Sequence, residues 1–267
     1  MNYNLLNKIL LSNITKYFPK TINRKIFRKF NIFFVPTILK NLPSNFYPLN
    51  TDISKQNDLI LQFNCQKKLI NQTTYSSLDK LLIKIFKKKS FSFFDIGGDN
   101  IDLYLYLNSK LNIKKYYISN FHKLILIFEQ LKRKYNFYNF FPITSDKKIS
   151  SLDFVYFGSC IQYFKNYKTY LNSILSKKPK YILFSGTSFF FNDTYKSKIV
   201  VKQTNILPNN IFLFFFNYKK FILNLKNNGY ILIKSKKNKT VNINYKNFNY
   251  PYNKTKYLDL LFKLKNY

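Results

Sequence analysis

The chain has 267 residues, of which 46% are hydrophobic and 20% are aromatic. This composition is too apolar for a disordered chain, and the length fits one α/β domain with extensions or two small domains. The formal net charge of +34 predicts salt-sensitive attraction to polyanions such as RNA or an acidic membrane surface. Codon drift in an AT-rich genome predicts the same charge, because Lys, Asn, Ile, Phe and Tyr are abundant while Ala and Trp are absent.

The two cysteines, Cys65 and Cys160, are too few for a disulfide framework and lack the spacing of a zinc site. Residues 1–20 do not show the basic, apolar and small-residue succession of a signal peptide. The longest apolar run, residues 211–216, is far below the roughly 20 residues that a membrane-spanning helix needs. We therefore expect a soluble cytoplasmic protein without a transmembrane segment.

Residues 1–75 are predicted to form an N-terminal helical extension. Two apolar and basic stretches, residues 5–18 and 26–39, predict amphipathic helices that pack on the core or lie on a membrane surface. A further helical region is predicted over residues 54–89. It ends in three lysines, which complement the negative end of a helix dipole.

Residues 76–235 are predicted to form the core, because short apolar strands alternate there with helical stretches. Such alternation is typical of an α/β fold with a mostly parallel, doubly wound sheet. The predicted strands are 90–96, 116–119, 140–144, 152–157, 181–184, 199–202 and 230–234, and the predicted helices are 101–107, 124–135, 167–176 and 218–228. Residues 236–267 are predicted to be a basic tail that packs on or extends the core, with one helix at 258–264.

The first candidate site is the turn formed by Gly97 and Gly98 after the first core strand. Glycines at the end of a parallel strand let a ligand approach the backbone, and a following helix N-terminus favours polar or anionic groups. Asp95 can hold the turn amides or face the ammonium group of a ligand. An ordinary tight turn capped by Asp99 explains the same residues, so both interpretations stay open.

The segment Phe94-Asp95-Ile96-Gly97-Gly98 resembles the first motif of class I S-adenosylmethionine-dependent methyltransferases. More narrowly, the chain resembles a family of methyltransferases found near surface-polysaccharide genes in bacteria. The resemblance covers residues 78–233 and depends on the order of these motifs: Gly97-Gly98, Asp153-Phe154-Val155, Gly158-Ser159-Cys160-Ile161-Gln162-Tyr163, Gln203 and Gly229-Tyr230.

This resemblance implies a Rossmann-like class I methyltransferase with S-adenosylmethionine as its cofactor and a sugar or surface-polysaccharide intermediate as its substrate. The implied cofactor-binding residues are Asp95, Gly97, Gly98, Asn120 and Ser159, with the first three at the methionine end of the cofactor. Gln162 and Tyr163 would line the substrate pocket. A helix cap followed by core residues explains Ser159, Gln162 and Tyr163 equally well.

Two departures from this family bear on activity. Asn120 stands where an acidic residue usually binds the ribose hydroxyls, and an amide can accept only through its oxygen. Ser185-Gly186-Thr187 stands where the family has an aspartate-arginine-threonine run. A noncatalytic binding protein with the methyltransferase fold is therefore an alternative hypothesis.

Another alternative is a basic RNA-binding protein or RNA methyltransferase, since the many Tyr and Phe side chains could stack on bases. The sequence does not point to a catalytic residue or a metal site. His122 is the only histidine and is expected to be solvent-exposed, which argues against a Ser-His-Asp triad or a histidine metal cluster. The spacing of Asp95, Asp99 and Asp102 does not match a calcium loop.

Overall fold

The computed structural model describes residues 7–8, 33–42, 56–58, 60–61, 72–146, 149, 151–192, 196–203, 211–240 and 242–267. The chain forms two compact units that alternate along the sequence. The turn unit consists of Leu49–Gly158, Tyr170–Leu183 and Asn266–Tyr267. The hairpin unit consists of Met1–Pro48, Ser159–Thr169 and Phe184–Lys265.

The strands, in chain order, are β1 (Phe34–Pro36), β2 (Phe91–Ile96), β3 (Ile113–Ser119), β4 (Phe140–Ile143), β5 (Phe154–Gly158), β6 (Tyr181–Phe190), β7 (Lys198–Gln203), β8 (Ile211–Asn217), β9 (Tyr230–Lys237) and β10 (Lys256–Leu264). The α-helices are α1 (Gln72–Phe86), α2 (Asp102–Asn108), α3 (His122–Tyr135), α4 (Tyr167–Leu175) and α5 (Tyr218–Asn227). Short 3₁₀ helices cover Ile161–Tyr163 and Tyr252–Lys254. Among the described residues, no helix combines the length and the apolar character needed to cross a membrane.

The turn unit contains a parallel sheet with the strand order β4-β3-β2-β5. All six residues of β2 are buried, as expected for a central parallel strand that is covered on both faces. The Phe93 ring lies between Tyr116 and Phe154, with ring centroids 5.2 and 5.5 Å away. The register pairs Ile96 with both Ser119 and Phe157, so β2, β3 and β5 end together at one edge of the sheet.

The hairpin unit contains a mixed arrangement of strands. β6 pairs with β10, which pairs antiparallel with β9. The last two residues of β6 pair in parallel with the end of β8. β8 also pairs antiparallel with β7, and β7 pairs antiparallel with β1. The α5 helix follows β8 directly, and Asn217 caps its N-terminus by accepting from the Lys220 N–H at 3.0 Å.

The predicted alternation of strands and helices over residues 90–184 is confirmed, and so is a mostly parallel sheet. The helix predicted at 258–264 is wrong, because these residues belong to β10. A β-bulge at Leu261/Phe262 places three buried residues in succession, which hides the alternation typical of a strand. Pairing with β9 and β6, which are both distant in sequence, decides the conformation.

The helix predicted at 26–39 is also wrong where it overlaps β1. Val35 is fully buried there and pairs with Lys202 of β7, so a distant partner again determines the local conformation. The rest of that helix, and most of the predicted extension over residues 1–75, lie outside the described residues. The predicted boundary between residues 235 and 236 falls inside β9.

Candidate functional site

The glycine turn follows β2 in the turn unit. Gly97 has φ +77°, a conformation that favours glycine. At Gly98 a Cβ atom would overlap Oδ2 of Asp95 and would lie 2.8 Å from Cδ1 of Ile118. Glycine therefore suits the backbone at position 97, a side chain at position 98 would force Asp95 and Ile118 to shift, and the turn presents bare backbone above the Asp95 carboxylate.

The Asp95 carboxylate is buried beneath this turn, with the residue 3% exposed. The hydroxyl of Tyr116 donates a hydrogen bond of 2.9 Å to Oδ2 of Asp95. Burial raises the pKa of Asp95 to about 7, the Tyr116 hydrogen bond opposes this rise, and the charges of Asp99 and Asp102 add to it. Asp95 therefore changes its charge near neutral pH, and a bound cation would favour its ionised form.

Asn120 lies directly after β3 and contacts the turn. Its Nδ2 donates to the Gly98 carbonyl at 2.7 Å, and its Oδ1 accepts from the Phe121 N–H at 2.7 Å. The Gly97 N–H donates to the Ser119 carbonyl at 2.8 Å. The last residue of β3 and the residue after it thus each bind one of the two glycines.

Gln56 supports the loop after the turn and was not found by sequence analysis. Its side chain is buried, its Oε1 accepts from the Ile101 N–H at 3.1 Å, and its Nε2 donates to the Asp99 carbonyl at 3.4 Å. No local pattern indicates this role, because Gln56 and Ile101 are 45 residues apart in the chain.

Ser159 lies in the hairpin unit, in a left-handed conformation with φ +56° that is uncommon for a residue other than glycine. Its N–H donates to the Ser185 carbonyl at 2.9 Å, and its hydroxyl lies 3.2 Å from the Tyr257 hydroxyl. Gly186, with φ +60°, faces this pair. A Cβ on Gly186 would overlap Oγ of Ser159 and would lie 2.6 Å from the Tyr257 hydroxyl oxygen.

Gln162 and Tyr163 form hydrogen bonds within the same unit. The buried Gln162 amide donates to the Ser159 carbonyl at 2.9 Å and to the Gly186 carbonyl at 3.2 Å. The Tyr163 hydroxyl donates to Oε1 of Gln203 at 2.6 Å. These bonds join the 3₁₀ helix to β6 and β7, and a role in a substrate pocket remains a prediction.

Asp259 of β10 was missed because the sequence pattern predicted a helix there. Its Oδ1 accepts from the Ser185 hydroxyl at 2.8 Å, from the Gly186 N–H at 2.9 Å and from Nδ2 of Asn238 at 2.7 Å. Its Oδ2 lies 3.7 Å from the Lys236 ammonium. The Ser185-Gly186 segment itself carries no charged side chain, but the fold brings the Asp259 carboxylate of β10 into contact with it.

The structure thus brings Asp95, Gly97, Gly98 and Asn120 together in the turn unit. It brings Ser159, Gln162 and Tyr163 together in the hairpin unit. His122 is exposed at the start of α3, as predicted. Within the described part of the chain, no group of three or more His, Cys, Asp or Glu side chains could hold a metal ion.

No protein-family model and no curated protein matches this sequence. Solved structures do match. An S-adenosylmethionine-dependent methyltransferase from Clostridium acetobutylicum ATCC 824 has a TM-score of 0.51 and 9% identity, over 80% of this chain and 99% of that chain. The chain has the Rossmann-like methyltransferase fold. A second structure with this fold is the N-terminal domain of EvdMO1, crystallised in the presence of SAH and D-fucose; it has a TM-score of 0.50 and 7% identity, over 92% of this chain and 97% of that chain.

Proposed function

We propose that this protein is an S-adenosylmethionine-dependent methyltransferase and that it binds the methionine end of the cofactor at the Gly97-Gly98 turn. The observation that carries the proposal is the buried carboxylate of Asp95 beneath a turn that has no side chains. The turn follows a central parallel strand, and ligands of open α/β sheets bind beyond the carboxyl ends of the strands.

The residues of the turn fit the amino-acid end of this cofactor. Burial makes ionisation of Asp95 unfavourable, and the nearby acids Asp99 and Asp102 make it more so. Among the described residues, no lysine or arginine forms an ion pair with Asp95. An ammonium group would supply the missing charge, and the absence of a Cβ at Gly98 lets the backbone of the turn lie close to the carboxylate.

Asp95 would accept hydrogen bonds from the ammonium group, while Gly97 and Gly98 would allow close approach to the backbone. When bound, S-adenosylmethionine supplies an electrophilic methyl group, whose transfer to an acceptor oxygen or nitrogen leaves S-adenosylhomocysteine and a proton. Catalysis would come mostly from proximity and orientation. A contact of Ser159 with the cofactor, and of Gln162 and Tyr163 with the substrate, is part of this proposal.

The acceptor that we propose is a hydroxyl group of a sugar intermediate in surface-polysaccharide assembly. Two observations support this choice. The order of the motifs between Gly97 and Tyr230 resembles the family found near surface-polysaccharide genes. The EvdMO1 domain, which has the same fold, was crystallised in the presence of a sugar, D-fucose.

Calorimetric titration with S-adenosylmethionine tests the binding site. We expect Gly98→Ala to abolish binding, because the new Cβ would meet Asp95 and Ile118. Gly229→Ala is the matched control, since it places a Cβ at a glycine whose nearest neighbour, Cδ1 of Leu264, is 3.9 Å away. Equal binding by wild type and Gly98→Ala would contradict this site.

Failure of the folded wild type to bind would favour the noncatalytic alternative. The specific observation behind that alternative is the Asn120 amide, which contacts the turn instead of offering a carboxylate. A role in RNA binding remains a prediction from composition. If the protein binds RNA without sequence preference and loses this binding at physiological salt, the interaction is only nonspecific charge attraction.

A further inference from the structure

The end of β3 holds the glycine turn at two points. The Ser119 carbonyl accepts from the Gly97 N–H at 2.8 Å, and Nδ2 of Asn120 donates to the Gly98 carbonyl at 2.7 Å. The first of these bonds is made by the backbone and tolerates any side chain at position 119. The second requires a side-chain donor at position 120.

A carboxylate cannot make the second bond. Asp and Asn have nearly the same shape, but an ionised aspartate has no N–H and only accepts. At position 120 it could still accept from the Phe121 N–H, as Oδ1 of Asn120 does at 2.7 Å. Its other oxygen would face the Gly98 carbonyl oxygen, so that two acceptors would oppose each other where a hydrogen bond now exists.

We infer that Asn120 is a positioning residue that fixes the Gly97-Gly98 turn and that it does not bind the ribose hydroxyls of the cofactor. This inference deepens the proposed function and depends on it, because it implies that most of the binding affinity comes from contacts with the methionine end of the cofactor. The amide nitrogen is directed at the turn and the amide oxygen at the start of α3. A pair of ribose hydroxyls therefore finds no carboxylate at this strand end.

Two consequences distinguish this inference from a simply degraded ribose site. Introducing the acid by Asn120→Asp weakens cofactor binding, whereas repair of a degraded site would strengthen it. The ribose hydroxyls of the ligand also contribute little to affinity, whereas its amino-acid end contributes most.

The chain provides a matched control in Asn139, at the opposite end of β3. Its Nδ2 donates to the Ile113 carbonyl at 2.9 Å and to Oδ1 of Asn108, while its Oδ1 accepts from the Tyr104 hydroxyl. Asn139→Asp therefore also removes a side-chain donor from a backbone carbonyl, in this case the Ile113 carbonyl at the start of β3. We expect it to lower the melting temperature without changing the affinity for S-adenosylhomocysteine.

The experiment combines calorimetry with amide hydrogen exchange on the full-length protein. We expect Asn120→Asp to weaken S-adenosylhomocysteine binding about tenfold and to speed exchange of the Gly97 amide in the ligand-free protein, while Asn139→Asp does neither. For the wild type, an analogue lacking both ribose hydroxyls should bind within about threefold of S-adenosylhomocysteine, and 5′-methylthioadenosine at least about a hundredfold more weakly.

Tighter binding by Asn120→Asp, or a loss of about tenfold or more on removal of the ribose hydroxyls, would overturn the inference while leaving the proposed function intact. Absence of S-adenosylhomocysteine binding by the wild type would overturn the proposed function, and the ribose statement with it. The positioning role is then decided by hydrogen exchange alone. An unchanged Gly97 exchange rate in Asn120→Asp would overturn it.

Discussion

The Tyr116 hydroxyl donates a hydrogen bond of 2.9 Å to the buried Asp95 carboxylate, from the strand next to the one that carries Asp95. This hydrogen bond stabilises the ionised form of the carboxylate but does not balance the cost of burial, so the pKa of Asp95 rises from 3.8 to about 7. This buried carboxylate beneath the glycine turn therefore lowers the free energy of unfolding at neutral pH. A cationic ligand at the turn would restore it.

The first prediction concerns the stability of the ligand-free protein. Because the folded-state pKa of Asp95 is raised, the contribution of its neutral form is fully present below about pH 4 and is lost as the pH rises through 7. Asp95→Asn replaces the carboxyl with a side chain that stays neutral, so the variant does not lose this stability as the pH rises. Relative to wild type, its free energy of unfolding should increase between pH 4 and pH 8 by an amount on the order of 4 kcal/mol at most.

Denaturant unfolding at several pH values measures this difference. Titrating groups that do not interact with Asp95 cancel when the two proteins are compared at each pH. A constant difference between wild type and Asp95→Asn across this range would show that Asp95 has an ordinary pKa.

The second prediction is that S-adenosylhomocysteine binding releases a proton. An ammonium group at the turn favours the ionised form of Asp95, so its pKa falls on binding. Below pH 7 the affinity should then decrease by about tenfold per pH unit until the pH reaches the pKa of the complex. Calorimetry in buffers of different ionisation enthalpy measures the proton directly, and Asp95→Asn should bind weakly and without proton release. An affinity of the wild type that is independent of pH would contradict a cation beside Asp95.

The third prediction concerns Gly186, which allows the Ser159 and Tyr257 hydroxyls to lie against the backbone. Gly186→Ala should destabilise the protein by about 2–4 kcal/mol, because the new Cβ adds a steric clash to an unfavourable positive φ. Gly229→Ala also needs a positive φ, at +85°, but meets no close neighbour. It should cost only about 1 kcal/mol. Equal losses for the two variants in thermal unfolding would show that the hydroxyl pair does not occupy this position.

The fourth prediction concerns the Asp259 carboxylate. Asp259→Ala leaves the Ser185 hydroxyl, the Gly186 N–H and the Asn238 amide without their acceptor, and should cost about 2–4 kcal/mol of stability. Asp259→Asn keeps an acceptor oxygen and should cost less. Lys236→Met should have a small effect, because its ammonium is 3.7 Å from the carboxylate and the side chain is 44% exposed. Urea unfolding of the three variants tests this order, and a Lys236→Met variant as unstable as Asp259→Ala would reverse it.

Sequence analysis predicted those parts of the fold whose pattern is local. The strand predicted at 90–96, the turn at Gly97-Gly98 and the helix predicted at 124–135 follow from apolar runs and glycines, and the structure places them close to these bounds, at Phe91–Ile96 and His122–Tyr135 for the strand and the helix. Asn120 was identified as a departure because it lies at a defined strand end. Its hydrogen bond to the Gly98 carbonyl could not be predicted, since that bond depends on the three-dimensional approach of the turn to β3.

The elements that were missed depend on partners far away in sequence. β10 resembles a helix because its bulge disrupts the alternation, and its pairing with β9 and β6 defines it as a strand. Asp259 and Tyr257 lie on that strand and were missed for the same reason. Gln56 contacts a loop that follows it by some 45 residues, a relationship that no single-sequence pattern contains.

The most direct test of the central claim is a crystal structure of the protein with S-adenosylhomocysteine. The account predicts that the amino-acid end of the ligand lies against Asp95 and the Gly97-Gly98 turn, with Nδ2 of Asn120 still bonded to the Gly98 carbonyl. A ligand bound away from this turn, or bound there with its ammonium group directed away from Asp95, would contradict it.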